Sequence, residues 1–156
     1  MTHRSLGLLI GAAVVVLDVI TKVWAVAAFS DEPQVLLGDG FMRLWVTRNP
    51  GASFSSFQNG GVAIGVIAIG VAGLVVYMQG RATHRAVAIG LGAVLGGAVG
   101  TLLDRIARGD GFLDGAVVDW IDFSFFPSFN VADSAITIGA AVLILTSFLV
   151  RTHADA

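Results

Sequence analysis

Four apolar stretches of bilayer length fix what this chain can fold into. They run over about residues 6–29, 62–78, 86–103 and 131–150, and a helix crossing the hydrocarbon core needs roughly 17–25 predominantly apolar residues. Backbone polar groups have no water to bond in that core, so each stretch must satisfy its own hydrogen bonds as a helix. Composition agrees: 56% of the 156 residues are hydrophobic and 13% charged, and the mean hydropathy is +0.85, far from the averages of soluble domains. The expectation is an α-helical integral membrane protein. Four transmembrane helices carry a small extracytoplasmic β-rich element and loops, and residues 1–156 form a single membrane-embedded domain.

The first stretch imitates a secretory signal, with Arg4, an apolar run and the small-residue triplet Ala25-Val26-Ala27. Asp18 and Lys22 interrupt that run, however, and three further spans already anchor the chain, so the segment is read as a retained span. Four spans put both termini on one side. Arg4, Arg81, Arg85 and Arg151 share that side and Arg43, Arg48, Arg105 and Arg108 the other. The raw count ties, and the density of charge in the short segments makes the terminal side cytoplasmic. The two outer loops, about residues 30–61 and 104–130, hold most of the acidic residues, so chemistry is sought there.

Several function classes fall away. The chain has no cysteine, which excludes thiolate metal sites and a cysteine nucleophile. A net charge of -2 without a basic cluster gives no footprint for nucleic acid. His3, His84 and His153 all lie near predicted cytoplasmic ends, with no metal-binding spacing, so no metal or other cofactor is expected. A serine nucleophile would lack a histidine on its own side.

Within the first outer loop, Met42, Leu44 and Val46 alternate with Arg43, Trp45 and Thr47, the two-residue period of a half-buried strand. Pro50 and Gly51 then mark a turn. In the second outer loop GAVVDWIDF is also compatible with a strand, which would put Asp119 and Asp122 on opposite faces; as a helix it would put them on one. Gly92, Gly96 and Gly100 recur every four residues, the spacing of close helix packing.

Several of the ionisable residues have a plain structural explanation. Asp18 and Lys22, four apart, form an intramembrane ion pair near the outer end of the first span, with Lys22 able to reach toward the interface. Asp104 and Arg105 could be a solvated helix end, and Asp110 and Asp114 in GDGFLDG a surface turn. Asn130 is a favoured N-cap, and Asp133 three residues later complements the helix dipole and can reach back to the cap. Capping does not account for Asp119 and Asp122 in an apolar context. Two carboxylates at a membrane surface could share a proton and activate water, or relay protons or a cation as in transporters. By elimination, an enzyme here would be an aspartyl hydrolase.

The set LDVITK (17–22), RNPGASFS (48–55), GGAVGTLLDR (96–105), VVDW (117–120) and FNVADSAITIG (129–139) resembles the lipoprotein signal peptidase, or signal peptidase II, family. The motifs occur in the family's order over nearly the whole chain. The resemblance implies an aspartyl endopeptidase of the bacterial cytoplasmic (inner) membrane. Such an enzyme removes signal peptides from prolipoproteins, cutting before a diacylglyceryl-modified cysteine at the outer face. It implies a catalytic pair at Asp119 and Asp133, with Asp18, Lys22, Asn49, Gly51, Asp104, Arg105, Asn130 and Ala132 at positions that shape the site or hold substrate. Its partners would be modified prolipoproteins and membrane lipids; nothing requires more than a monomer. Thr101 stands where the family has asparagine, Trp120 replaces phenylalanine, Ser53 replaces alanine, and GDGFLDG lengthens the link from Asp104 to Asp119. The alternatives from other classes are a small proton- or ion-coupled transporter using Asp18, Lys22, Asp104 and Asp133, and a scaffold that binds through its glycine faces.

Overall fold

The computed structural model describes residues 1–51 and 60–154; Ser53 and the rest of the motif beyond Gly51 lie outside them. Four helices of membrane-spanning length and composition emerge: α1 (His3–Phe29), α2 (Gly60–Gln79), α3 (Arg85–Ala107) and α4 (Val131–Ala154). Each contains the span expected from hydropathy. The protein is a multi-pass membrane protein. The main difference is at the end of α3, which runs four residues past the expected span and takes Asp104 and Arg105 into the helix.

α3 is the central helix, packing against α1, α2 and α4. Glycine makes this possible. Gly92 faces the backbone of Gly7, Gly96 faces Gly11 and Val14, and Gly100 faces Asp18 and Ala132. The expected close-packing stripe is therefore real, and it faces α1 along its length. By contrast Gly70 and Gly73 of α2 have nothing within 4 Å of where a Cβ would stand.

A four-stranded antiparallel sheet lies where α1 and α3 end and α2 and α4 begin, in the order β1 (Gln34–Leu37), β2 (Met42–Asn49), β3 (Val117–Phe123), β4 (Phe126–Phe129). The alternation in residues 42–47 did mark a strand, and VVDWIDF is extended rather than helical. Trp120 of β3 packs edge-on against Trp24 of α1, centroids 5.5 Å apart, beside a core of Ala25, Phe29 and Leu44. The ring that replaces the family's phenylalanine thus joins sheet to bundle. In the lengthened link, Asp114 accepts the Gly111 N–H at 3.0 Å, the expected turn. Leu113 adopts a left-handed φ of 56° and is buried against Gly65 of α2.

Side-chain volume at the α1–α3 crossing should be limiting. Gly92→Val would drive a branched side chain into the Gly7 backbone, and overpacking of this kind costs about 1–3 kcal/mol. A lowered thermal midpoint in detergent is expected. Gly70→Ala should be neutral or stabilising by up to about 1 kcal/mol, because it adds helix propensity in open space; equal losses in both variants would refute the packing account.

Candidate active site

The site is assembled around the start of α4. Asn130, fully buried, is the N-cap: its Oδ1 accepts the Asp133 N–H at 3.0 Å, and Asp133 Oδ2 accepts the Asn130 N–H at 3.2 Å. This is the reciprocal capping arrangement expected from the sequence. The same side chain also faces the sheet. Asn130 Nδ2 donates to Asp119 Oδ1 at 2.7 Å and to the Val118 carbonyl at 3.2 Å. One asparagine therefore fixes the backbone of one carboxylate and the side chain of the other.

Asp119 is held from its second oxygen as well. Asn49 Nδ2 donates to Asp119 Oδ2 at 3.2 Å, while Asn49 Oδ1 accepts the Gly51 N–H at 3.1 Å. Gly51 has a φ of 133° and lies against the Gly60–Gly61 backbone at the start of α2; a side chain there would be strained and would have no room. Antiparallel pairing sets Thr47 opposite Asp119 and Asn49 opposite Val117, which brings the Asn49 amide within reach. Asp122, on the other face of β3, bonds Arg43 Nε at 2.7 Å and the Ser128 hydroxyl at 3.0 Å. It braces β2, β3 and β4 and takes no part in the pair.

Behind the pair lies a buried charge network. Lys22 Nζ contacts Asp18 Oδ2 at 2.7 Å and Asp104 Oδ2 at 2.8 Å. Asp18 Oδ1 accepts the Ala132 N–H at 2.9 Å, Asp104 Oδ2 accepts the Val118 N–H at 3.2 Å, and Asp104 Oδ1 accepts from Arg108 Nε at 2.6 Å. Lys22 is only 1% exposed, so it turns inward rather than reaching toward the interface. Asp104 and Arg105, 6% and 2% exposed, are likewise no solvated helix end. The loop after α3 folds back over them, and Arg105 Nη1 donates to the Gly115 carbonyl at 2.9 Å. Arg108, Asp122 and Ser128 were not singled out from sequence for these roles. Of these contacts only the four-residue spacing of Arg108 from Asp104 was a local signal.

Asp119 and Asp133 line one cavity of about 440 Å³, closed on one side by β4 and on the other by the first turns of α4. Asn49 is at its edge; Thr137 and Ile138 extend it down the exposed flank of α4. A second cavity of about 300 Å³ continues from Asp119 past Thr47, Arg48 and Pro50. Asp18, Lys22, Asp104, Arg105, Asn130 and Ala132 stand behind these walls. Among the described residues no three His, Asp or Glu side chains are arranged to hold a metal ion.

Burial pushes the Asp119 carboxyl up from the ordinary 3.8 to about 6; the nearby Asp133 adds to the shift, and the Asn49 and Asn130 hydrogen bonds and Lys22 oppose it. Asp133 is thus close enough to Asp119 to disfavour ionisation of both together.

The family profile described as Signal peptidase (SPase) II matches residues 10–149, nearly the whole described bundle. The chain belongs to the signal peptidase II family. The lipoprotein signal peptidase of Rhodococcus jostii is 39% identical over 152 residues, 96% of this chain and 76% of that protein. The lipoprotein signal peptidase of Symbiobacterium thermophilum is 37% identical over 156 residues, covering 97% and 99%. Two solved bacterial membrane enzymes, determined by the in meso method at 2.3 and 1.9 Å, share the fold with TM-scores of 0.78 and 0.75 at 25% and 26% identity. They cover 94% and 90% of this chain, and 90% of each of theirs.

This signal peptidase II homologue should show the Asp119 shift in its stability. The folded state binds the Asp119 proton more tightly than the unfolded chain, so this contribution is full below the ordinary 3.8 and lost as pH rises through about 6. The difference in thermal midpoint between wild type and Asp119→Asn should therefore move against the wild type between pH 4 and 6. A difference that stays constant across that window would contradict the shift.

Proposed function

We propose that this chain is an aspartyl endopeptidase of the bacterial inner membrane. It removes the signal peptide from prolipoproteins by cutting N-terminal to a diacylglyceryl-modified cysteine. The observation that carries this reading is that Asp119 and Asp133 line one cavity, whose far end follows the exposed flank of α4. A lipid-modified cysteine keeps its acyl chains in the bilayer, so its scissile bond is presented beside such a flank. Both termini are cytoplasmic and the carboxylates sit at the outer face, as the charge density of the short segments suggests. The single domain works as a monomer without a cofactor.

Asp133 sits in the first turn of α4, where the helix dipole favours its ionised form; it is the general base that deprotonates the attacking water. Asp119, with its raised pKa, holds the shared proton and donates it to the peptide carbonyl as the tetrahedral intermediate forms. As the intermediate collapses, the proton that Asp133 took from water passes to the leaving nitrogen and Asp119 recovers its own from the gem-diol hydroxyl. Because the two titrate as a coupled pair, pH profiles report the pair and not either residue. The transporter alternative finds no support: Asp18, Lys22 and Asp104 are bonded to one another and to backbone amides.

The decisive assay uses purified protein in detergent with a diacylglyceryl-modified precursor and an unmodified control. Wild type should cleave only the modified form. Asp119→Asn and Asp133→Asn should each remain folded and lose cleavage by at least about 10²-fold, the contribution general acid–base groups typically make. Retained turnover in either variant would sink the pair, and loss in Asp104→Asn without loss in Asp119→Asn would assign the chemistry elsewhere. Thr101, half-buried on α3 one turn before Asp104 and Arg105, should accept asparagine with activity unchanged or raised; a collapse in folding would show that an amide does not fit there.

A further inference from the structure

Asp119 and Asp133 come from elements joined only through β4 and its flanks. Yet the residue immediately before each is held by a buried carboxylate. Val118 donates its N–H to Asp104 Oδ2 at 3.2 Å, and Ala132 donates its N–H to Asp18 Oδ1 at 2.9 Å. The two holding carboxylates belong to different helices, α3 and α1, and Lys22 Nζ lies 2.8 Å from one and 2.7 Å from the other. A continuous chain of contacts thus runs from one catalytic backbone to the other behind the cavity, with a single ammonium at its midpoint.

We propose that Lys22 is a positioning residue of the reaction: by tying Asp104 to Asp18 it sets the separation of the Val118–Asp119 and Ala132–Asp133 backbones and so the geometry of the pair. This deepens the peptidase reading and rests on it. Stability alone is a poor account of the network, because buried ion pairs can often be replaced by apolar residues at no net cost. An apolar side chain could fill the same space, but it could not place the two amide-binding carboxylates. Asn130 supplies a second tie in front, from α4 to Val118 and Asp119. Loss of the rear tie therefore shifts the carboxylates relative to each other rather than releasing them.

Two variants test this on the full chain, read by kcat, KM and folded fraction. Lys22→Met removes the tie and leaves Asp18 without a cationic partner, while Asp104 keeps Arg108. The triple variant Asp18→Asn, Lys22→Met, Asp104→Asn keeps an acceptor oxygen for each backbone N–H but removes every charge from the tie. In the folded triple variant kcat should fall about 10²-fold, the cost of roughly 1 Å of misplacement, with KM within about twofold.

For folded Lys22→Met the pH profile separates the lost charge from the lost tie, because the charge moves the alkaline limb and the tie moves kcat. The charged groups around Asp119 are Asp133 of α4, Lys22 of α1 and Arg105 of α3, with Arg48 of β2 lining the second cavity beside it and Asp104 behind. Removing Lys22 lets Asp119 keep its proton to higher pH, so the alkaline limb of kcat/KM should move upward. Wild-type kcat in either folded variant overturns the proposal. So does failure of the triple variant to fold, which would show that the network holds the bundle rather than the pair. If the wild type itself does not cleave the lipid-modified precursor, the peptidase reading has failed and not this inference.

Discussion

A helix that begins in a buried setting exposes N–H groups with no partner of its own, and the start of α4, where Asn130 and Ala132 are fully buried, is where this protein meets that constraint. An unsatisfied amide in a low-dielectric setting costs several kcal/mol by the usual range. Two side chains meet the need. Asn130 accepts from the Asp133 N–H, and Asp18, from α1, accepts from the Ala132 N–H. Everything at the site follows from this solution. Asp18, fully buried, pairs with Lys22; Lys22 also binds a second carboxylate, Asp104; and Asp104 reaches the sheet through the Val118 N–H. The chemistry of the cap thereby becomes the frame of the carboxylate pair.

Much of this frame is legible in the sequence, for physical reasons that differ by element. The spans are legible because hydropathy over about twenty residues is a strong signal, and β2 because Met42, Leu44 and Val46 keep a strict period. The cap is legible because Asn130 and Asp133 are local in sequence. β1 and β4 are not: Gln34–Leu37 and Phe126–Phe129 are four-residue edge strands, too short to show a period, and one carries Pro127, tolerated at an edge because it need not donate. The burial of Asp104 and Arg105 was equally invisible. It depends on the loop to Gly115 folding back over the end of α3, a non-local event. Lys22's second partner is eighty-two residues away, and only the packing of α1 on α3 reveals it.

The glycine faces tie the membrane part to the site. Gly100 sits directly against Asp18 and Ala132, and Gly97 against the Ala132 carbonyl. A larger side chain at either position would push α4 from α3 and lengthen the Asp18–Ala132 bond. Helix packing by small residues, the expected reading of Gly92, Gly96 and Gly100, is therefore also what lets a carboxylate on α1 reach the first turn of α4. A scaffold that bound partners through these faces would need them exposed, and they are occupied within the bundle.

The choice of a strand for Val117–Phe123 has a consequence that a helix could not reproduce. Alternation sends Asp119 to the cavity and Asp122 to the far side, where Arg43 and Ser128 neutralise and brace it. A helix would have set both carboxylates on one face, adding a third acidic group beside Asp119 and Asp133. Antiparallel pairing with β2 also delivers the Asn49 amide to Asp119, and Asn49 in turn holds the turn at Gly51 where the chain leaves for α2. The two-residue period thus separates a carboxylate paired with Arg43 from one whose pKa burial raises to about 6.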